Sequence, residues 1–452
     1  MSHSYDLIIV GSGTAAMVTA NRMAAAGRRV AVIDFRPFGG TCALRGCDPK
    51  KMLITAVQVM DDIRRMRGRG VAAEEPHIEW TELMAFKRSF TGPIPAKQER
   101  NYASKGVDTY HGRAQFTGPN AVEVDGVGTL QARNIVLAVG AKPAPLGFPG
   151  EELLMDNEGF LELEQLPKRI VMVGGGYIAS EFSHIAARAG AQVTVLQRGD
   201  QILTQFDPDL VSWLLRSFEA VGIDVRTGHT VEGVERTSGG YLVRVRTRDG
   251  EKGGLEADLV VHAAGRIPDL DSLNLDAANV ERTPKGGLKL NEFLQSVSNP
   301  AIYAAGDAAQ MGPPLTPVSS HDAKVVVGNL LDGPRHQPDY RAVPSVAFTV
   351  PPIASVGLSE AAAREQGIKV RVNSAPAADW YTARRVAEPV YGYKVLVDDD
   401  TGQVVGAHLV GPHVDEVINV FTLAMRNGVT VEQLKTTMFA YPTGASDIGY
   451  ML

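Results

Sequence analysis

The chain has 452 residues, of which 44% are hydrophobic and 21% charged. That is material for about three domains of ~150 residues with buried cores, and it excludes a single small module or a mainly disordered chain. Forty-five Lys and Arg against 51 Asp and Glu give a net charge of −6, so nothing in the charge balance favours nucleic acid or an anionic membrane as partner. The 2 cysteines are too few for a disulfide-stapled scaffold or a four-cysteine zinc site. No run approaches the ~18 consecutive apolar residues of a membrane span. Gly11, Ser12, Gly13 and Thr14 interrupt the apolar Leu7 to Val10 where a signal sequence would continue, so the expected location is the cytoplasm.

Residues 5–34, YDLIIVGSGTAAMVTANRMAAAGRRVAVID, read as an apolar strand, a glycine-rich turn, an alanine-rich helix, a helix-stopping glycine and a second strand. The same order recurs in residues 168–198, KRIVMVGGGYIASEFSHIAARAGAQVTVLQR. A shift of 163 positions superimposes Gly11 on Gly174, Gly13 on Gly176, Ala16 on Ala179, Gly27 on Gly190 and Asp34 on Gln197. The first glycine of such a turn permits a tight bend, the second lets backbone approach a pyrophosphate, and the small third residue lets helix and strand pack closely. Two dinucleotide-binding units are therefore expected. Asp34 ends its second strand with a carboxylate able to accept hydrogen bonds from an unmodified ribose, which suits FAD or NAD. Gln197 and Arg198 replace that carboxylate with a neutral group and a planar cation, which suits the 2′-phosphate of NADPH while leaving NADH possible.

Between the first unit and the next helix lies GGTCALRGCDPKK, residues 39–51, which holds both cysteines. In an unbroken α-helix, Cα atoms five residues apart are roughly 8–9 Å apart, whereas a disulfide needs less than about 7 Å. Pairing of Cys42 with Cys47 thus requires a local distortion, and Gly46 is a residue that can absorb one. The helical character of the following run places Cys47 near a helix N-terminus with Arg45 and Lys50 close in sequence, conditions that favour a thiolate. Two inert buried thiols, or chelation of a metal by the pair, are the other readings of the same residues.

Further along, LAVGAKPAP at 137–145 and HAAGRIPDL at 262–270 end apolar strands in glycine, a basic residue and proline, as where a chain leaves one domain for another. IYAAGDAA at 302–309 places Gly306 and Asp307 after a buried-looking strand, where an amide and a carboxylate could face a second part of a cofactor.

Taken together, GSGTAA with Asp34, GGTCALRGCDPKK, GGGYIASE, HAAGRIPD, YAAGDAA and FTVPPIASVGLSE at 348–360 resemble the pyridine nucleotide-disulfide oxidoreductase family, the flavoproteins that include glutathione reductase, dihydrolipoamide dehydrogenase and mercuric reductase. The resemblance implies an α/β fold with two Rossmann-like dinucleotide-binding domains and a C-terminal α+β dimerisation domain. FAD would bind residues 1–147 and 265–335, NAD(P)H residues 148–264, and residues 336–452 would form the interface of a homodimer with a shared active site. FAD would be held by Gly11, Gly13, Ala16, Asp34, Gly40, Thr41, Gly140, Gly306 and Asp307. Gly174, Gly176, Ala179, Gln197, Arg198, Gly265 and Arg266 would hold the nicotinamide nucleotide. The resemblance further implies a Cys42–Cys47 redox disulfide, with Cys47 against the flavin and Cys42 attacking substrate. Lys50 and Glu181 would pair beside the flavin, and Tyr177 would cover it until the nicotinamide arrives.

One segment departs from the family. AYPTGASDIGYML puts Tyr441 where disulfide-reducing members carry a catalytic histidine, with Ser446 and Asp447 near the place of a following glutamate. A phenol titrates near ~10 and is a poor proton shuttle at neutral pH. Mercuric reductase carries a tyrosine at the corresponding place but also a C-terminal cysteine pair, which this sequence lacks. The expected acceptor is a small disulfide or a soft metal ion or electrophile such as Hg(II). The alternatives are direct electron transfer from flavin, as in a diaphorase, quinone reductase or oxidase with a vestigial disulfide, and a non-catalytic nucleotide sensor.

Overall fold

A computed structural model describes residues 3–452 and divides them between two compact bodies. The first comprises the described residues up to Lys50, with Phe86–Ala144 and Arg266–Tyr340. The second comprises Lys51–Ala85, Pro145–Gly265 and Arg341–Leu452.

The first body is built on a sheet in which Asp108–His111, Val30–Asp34, His3–Val10 and Gly128–Leu137 run parallel in that spatial order. Ile302–Ala304 adds a further parallel strand on Gly128–Leu137. Buried on both faces, the central strands are nearly continuous runs of Leu, Ile and Val, as parallel sheets require: Leu7, Ile8, Ile9, Val32, Ile135 and Val136 are all inaccessible. Helix Thr14–Ala25 turns Ala15, Ala16, Thr19, Ala20 and Met23 inward, and the small residues among them permit close packing. The chain leaves the helix at Gly27, whose φ of +72° ends it in the left-handed region.

The second body repeats the device. Asp224–Arg226, Gln192–Leu196, Arg169–Val173 and Leu259–His262 form a four-stranded parallel sheet, packed by helix Tyr177–Arg188. A three-stranded antiparallel sheet, His229–Thr237, Gly240–Thr247 and Lys252–Ala257, follows. The C-terminal part is α+β: five antiparallel strands in the order Ser345–Ala347, Ile353–Gly357, Val404–Val410, Gly392–Asp398 and Val370–Pro376. Helix Val414–Arg426 covers that sheet with Val414, Val417, Ile418, Phe421 and Ala424, the i, i+3, i+4, i+7 stripe of an amphipathic helix. Two sheets with parallel dinucleotide-type cores and a terminal α+β part are the fold the sequence leads one to expect. Among the described residues no helix is long and apolar enough to cross a membrane.

Candidate active site

The two glycine-rich turns have the same geometry. Gly11 has φ +105° and its amide donates to Ile33 O at 2.8 Å; Gly174 has φ +107° and donates to Leu196 O at 2.9 Å. A Cβ on Gly11 would lie 2.2 Å from Ala138 O, and one on Gly174 would lie 2.4 Å from Ala263 O. Neither position tolerates a side chain. Both following helices begin at an extended glycine, Gly13 or Gly176, with no side-chain cap, a property they share with helices such as Thr316–Asp332 and Val414–Arg426, while Asp156, Asp207, Ser359 and Thr430 cap others. An uncapped N-terminus leaves backbone N–H groups free to meet an anion, the arrangement a dinucleotide pyrophosphate needs.

In the first body, Asp34 organises this turn. Its Oδ2 accepts from Ser12 N at 2.9 Å and Ser12 Oγ at 2.6 Å, its Oδ1 accepts from Arg36 N at 2.9 Å, and Ser12 Oγ accepts from Gly39 N at 3.2 Å. Gly40 then approaches so closely that its Cβ would lie 2.3 Å from Gly13 Cα. The dinucleotide turn and the start of the cysteine segment therefore meet backbone to backbone, with Thr41 next in helix Gly40–Arg45.

The cysteine segment is broken where its sequence requires. Helix Gly40–Arg45 stops at Gly46, with φ −151° and ψ −108°, and helix Cys47–Met66 starts immediately after it. Cys42 is half-buried and Cys47 exposed, both as free thiols. The Cys42 thiol donates to Cys47 and, with Thr316 and Lys50 assisting against burial, holds Cys47 down at about 6. Cys42 is correspondingly pushed far up, first by its hydrogen bond to Cys47 and then by burial. Thr316 Oγ1 lies 3.4 Å from Cys47 Sγ. It is a neighbour 269 residues away that no local pattern in the cysteine motif announces.

Gly140, at φ +70°, lies between strands Gly128–Leu137 and Ala141–Pro143 with an open Cβ position, and Gly306, at φ +68°, opens the turn Gly306–Ala308. The Asp307 carboxyl in that turn is pushed up by burial and lies 3.5 Å from Arg266 Nη1. Arg266 lies in the first body, where it also donates to Ala141 O. The chain passes between the bodies at Gly265, and the glycine and the arginine of one motif fall on opposite sides of that crossing.

The second body holds the remaining residues. Ala179 is buried. Tyr177 sets its ring edge-on against Phe206 at 5.5 Å, and burial raises its phenol. Glu181 is 5% exposed, and its Oε1 accepts from Phe348 N at 2.9 Å. Lys50 belongs to the first body and Glu181 to the second. Gln197 crosses the nucleotide turn, its Cβ 3.2 Å from where a Cβ on Gly175 would stand, while Arg198 is exposed at the strand end. Tyr441 is 80% exposed. Asp447 is buried, but its Oδ2 accepts from Tyr391 OH at 2.8 Å.

The comparisons with known proteins agree with these features. Residues 5–323 match the model of the pyridine nucleotide-disulphide oxidoreductases, and residues 343–451 match the dimerisation domain of the same family. The chain is 33% identical over 445 residues to a glutathione reductase of Burkholderia cepacia, covering 98% of each. It is 32% identical over 449 residues to a mercuric reductase of Lysinibacillus sphaericus, covering 98% of this chain and 81% of that one. Among solved structures it resembles the HOCl-induced flavoprotein disulfide reductase RclA from Escherichia coli, with a TM-score of 0.88, 26% identity and 99% of each chain covered. The Cu(II) complex of the same protein gives a TM-score of 0.89 at 27% identity, covering 100% of this chain and 99% of that one.

A redox-capable cysteine pair beside one of two dinucleotide folds, in a chain matched nearly end to end, defines a flavoprotein oxidoreductase that uses FAD and NAD(P)H. The chain belongs to the pyridine nucleotide-disulphide oxidoreductase family. Its uncapped helix ends and side-chain-free turns fit both nucleotides.

Proposed function

We propose that this protein oxidises NADPH and delivers the electrons through a Cys42–Cys47 dithiol to a thiol-reactive acceptor, either the soft ion Hg(II), the reducible ion Cu(II) or a small disulfide. The observation that carries the reading is the Cys47 thiol, held at about 6 by its Cys42 partner at the start of a helix. A thiol so placed is largely thiolate at neutral pH, the form that donates electron density and binds soft ions. FAD, when bound, supplies the two-electron relay between a nicotinamide and a dithiol.

The residues divide that work. Gly11, Gly13, Ala16, Asp34, Gly40, Thr41, Gly140, Gly306 and Asp307 hold FAD. Gly174, Gly176, Ala179, Gln197, Arg198, Gly265 and Arg266 hold the nicotinamide nucleotide, and Tyr177 covers the flavin until the nicotinamide arrives. Lys50 and Glu181 stand at the positions of the family's lysine and glutamate that act at the flavin. Cys42 is the attacking thiol, and Cys47 completes the disulfide. Oxidation of the dithiol releases two electrons and two protons: a small disulfide takes up both as two thiols, whereas Hg(II) takes both electrons and Cu(II) one per ion. Tyr441 in place of a histidine favours the metal branch, because a soft ion needs thiolates and no proton relay. The copper complex of RclA supports copper among the candidates. The match to the dimerisation domain supports a homodimer with a shared site. The domains proposed are 1–147 with 265–335 for FAD, 148–264 for NAD(P)H and 336–452 for the interface.

The test is turnover of the parent and of Cys42→Ser with NADPH and, in separate assays, Hg(II), Cu(II), glutathione disulfide and lipoamide. The reading expects Cys42→Ser to lose activity with every acceptor the parent reduces. Full activity in that variant would instead mean that electrons leave directly from the flavin.

A further inference from the structure

Helix Thr316–Asp332 presents Thr316, Ser319 and Asp322 at successive turns of one face. Thr316 reaches the redox thiol, 3.4 Å from Cys47 Sγ. Ser319 backs Gly306, where an added Cβ would come within 2.7 Å of the serine Oγ. Asp322 is 1% exposed. Its Oδ2 accepts from Gly306 N at 3.0 Å, and its Oδ1 accepts from Tyr340 OH at 2.8 Å.

Burying a carboxylate costs stability unless hydrogen bonds replace its water. Both oxygens of Asp322 have such partners, with His321 and Asp307 the other charged or titratable groups acting on it. One partner is the amide that fixes the turn. With its N–H tied to Asp322, Gly306 is held at φ +68°, and this sets the direction in which the next residue, Asp307, leaves the turn.

We propose that Asp322 is a positioning residue for the cofactor-binding turn. It anchors the Gly306 amide so that Asp307 faces FAD, and the helix that carries it also carries Thr316 to Cys47, linking the cofactor turn to the redox thiol through one rigid element. This inference rests on the reading of Asp307 as a FAD contact.

The experiment is the rate of FAD release from purified holoenzyme, followed by the rise in flavin fluorescence, in Asp322→Ala, Asp322→Asn and Asp307→Ala. Asp322→Ala should release FAD roughly ten- to a hundredfold faster, as expected for loss of a hydrogen bond to a charged group. Asp322→Asn should stay within about threefold of the parent, because its amide oxygen accepts from Gly306 and its NH2 donates to the Tyr340 oxygen. Rescue by asparagine separates positioning from a loss of packing. An Asp322→Asn variant as leaky as Asp322→Ala would overturn the proposal. So would fast release from Asp307→Ala together with parental release from Asp322→Ala. Parental release from Asp307→Ala would instead sink the underlying reading of Asp307. If Asp322→Ala does not fold, Tyr340→Phe takes its place: it removes one of the two anchors and should speed release several-fold, and an unchanged rate would count against the anchor.

Discussion

The Cα of Gly13 stands 2.3 Å from the point that a Cβ on Gly40 would occupy. One glycine belongs to the first nucleotide turn and the other opens the cysteine helix. Cofactor turn and redox segment therefore meet with no side chain between them.

Gly40→Ala is expected to break this contact. Gly40 has φ +71°, so the substitution adds backbone strain of roughly 1–3 kcal/mol on top of the clash. The expected outcome is a lower melting temperature and sub-stoichiometric FAD in the purified protein. Gly27→Ala, at a similar φ but with nothing within 4 Å of its Cβ position, should keep its flavin. Comparing absorbance at 450 nm per chain in the two variants is the check.

Cys47 should titrate well below an ordinary thiol. Its folded-state value of about 6 lies below the reference of 9.0, so the thiolate persists at neutral pH and is protonated only as the pH falls through about 6. Thiolate absorbance at 240 nm in the reduced enzyme should follow that curve. Thr316→Val removes a hydrogen bond that favours the thiolate, so its curve should move to higher pH. An unmoved midpoint would show that the 3.4 Å contact to Thr316 does not act on the thiolate.

Arg198 is exposed at the end of strand Gln192–Leu196. Its replacement by alanine should weaken NADPH roughly ten- to a hundredfold, the effect of losing a charged hydrogen bond, and leave NADH nearly unchanged. The ratio of kcat/KM for the two nucleotides measures this. Equal losses would mean that the guanidinium does not meet the 2′-phosphate.

At position 441 the sequence exchanges a titrating imidazole for a phenol. Tyr441→His should therefore raise reduction of small disulfides, with a new ionisation near neutral pH in its rate profile. No gain with glutathione disulfide, lipoamide or another small disulfide would refute this account of Tyr441.

What was legible in the sequence was what local geometry demands. Gly11 and Gly174 announce their turns because each must adopt a left-handed φ against a carbonyl, and Gly46 announces the break between Cys42 and Cys47 because no unbroken helix brings those residues together. Non-local partners left no such trace. Thr316 is contiguous with Cys47 only after folding, and Asp322 reads as one more polar helix residue until the structure buries it against Gly306. Asp447 stood in sequence where a glutamate would support a histidine, yet its carboxylate is bound to Tyr391. Hydrogen bonds that close over long stretches of chain obey no period, so pattern alone does not disclose them.

The most direct test of the account is an anaerobic titration of the oxidised protein with NADPH, comparing the parent with Cys47→Ser. If Cys42 and Cys47 lie in the electron path, the parent takes up two equivalents of NADPH per flavin, one for the disulfide and one for the flavin. A long-wavelength thiolate-to-flavin band should appear after the first equivalent, while Cys47→Ser takes up one and shows no such band. Uptake of a single equivalent by both proteins, without that band in either, would contradict it.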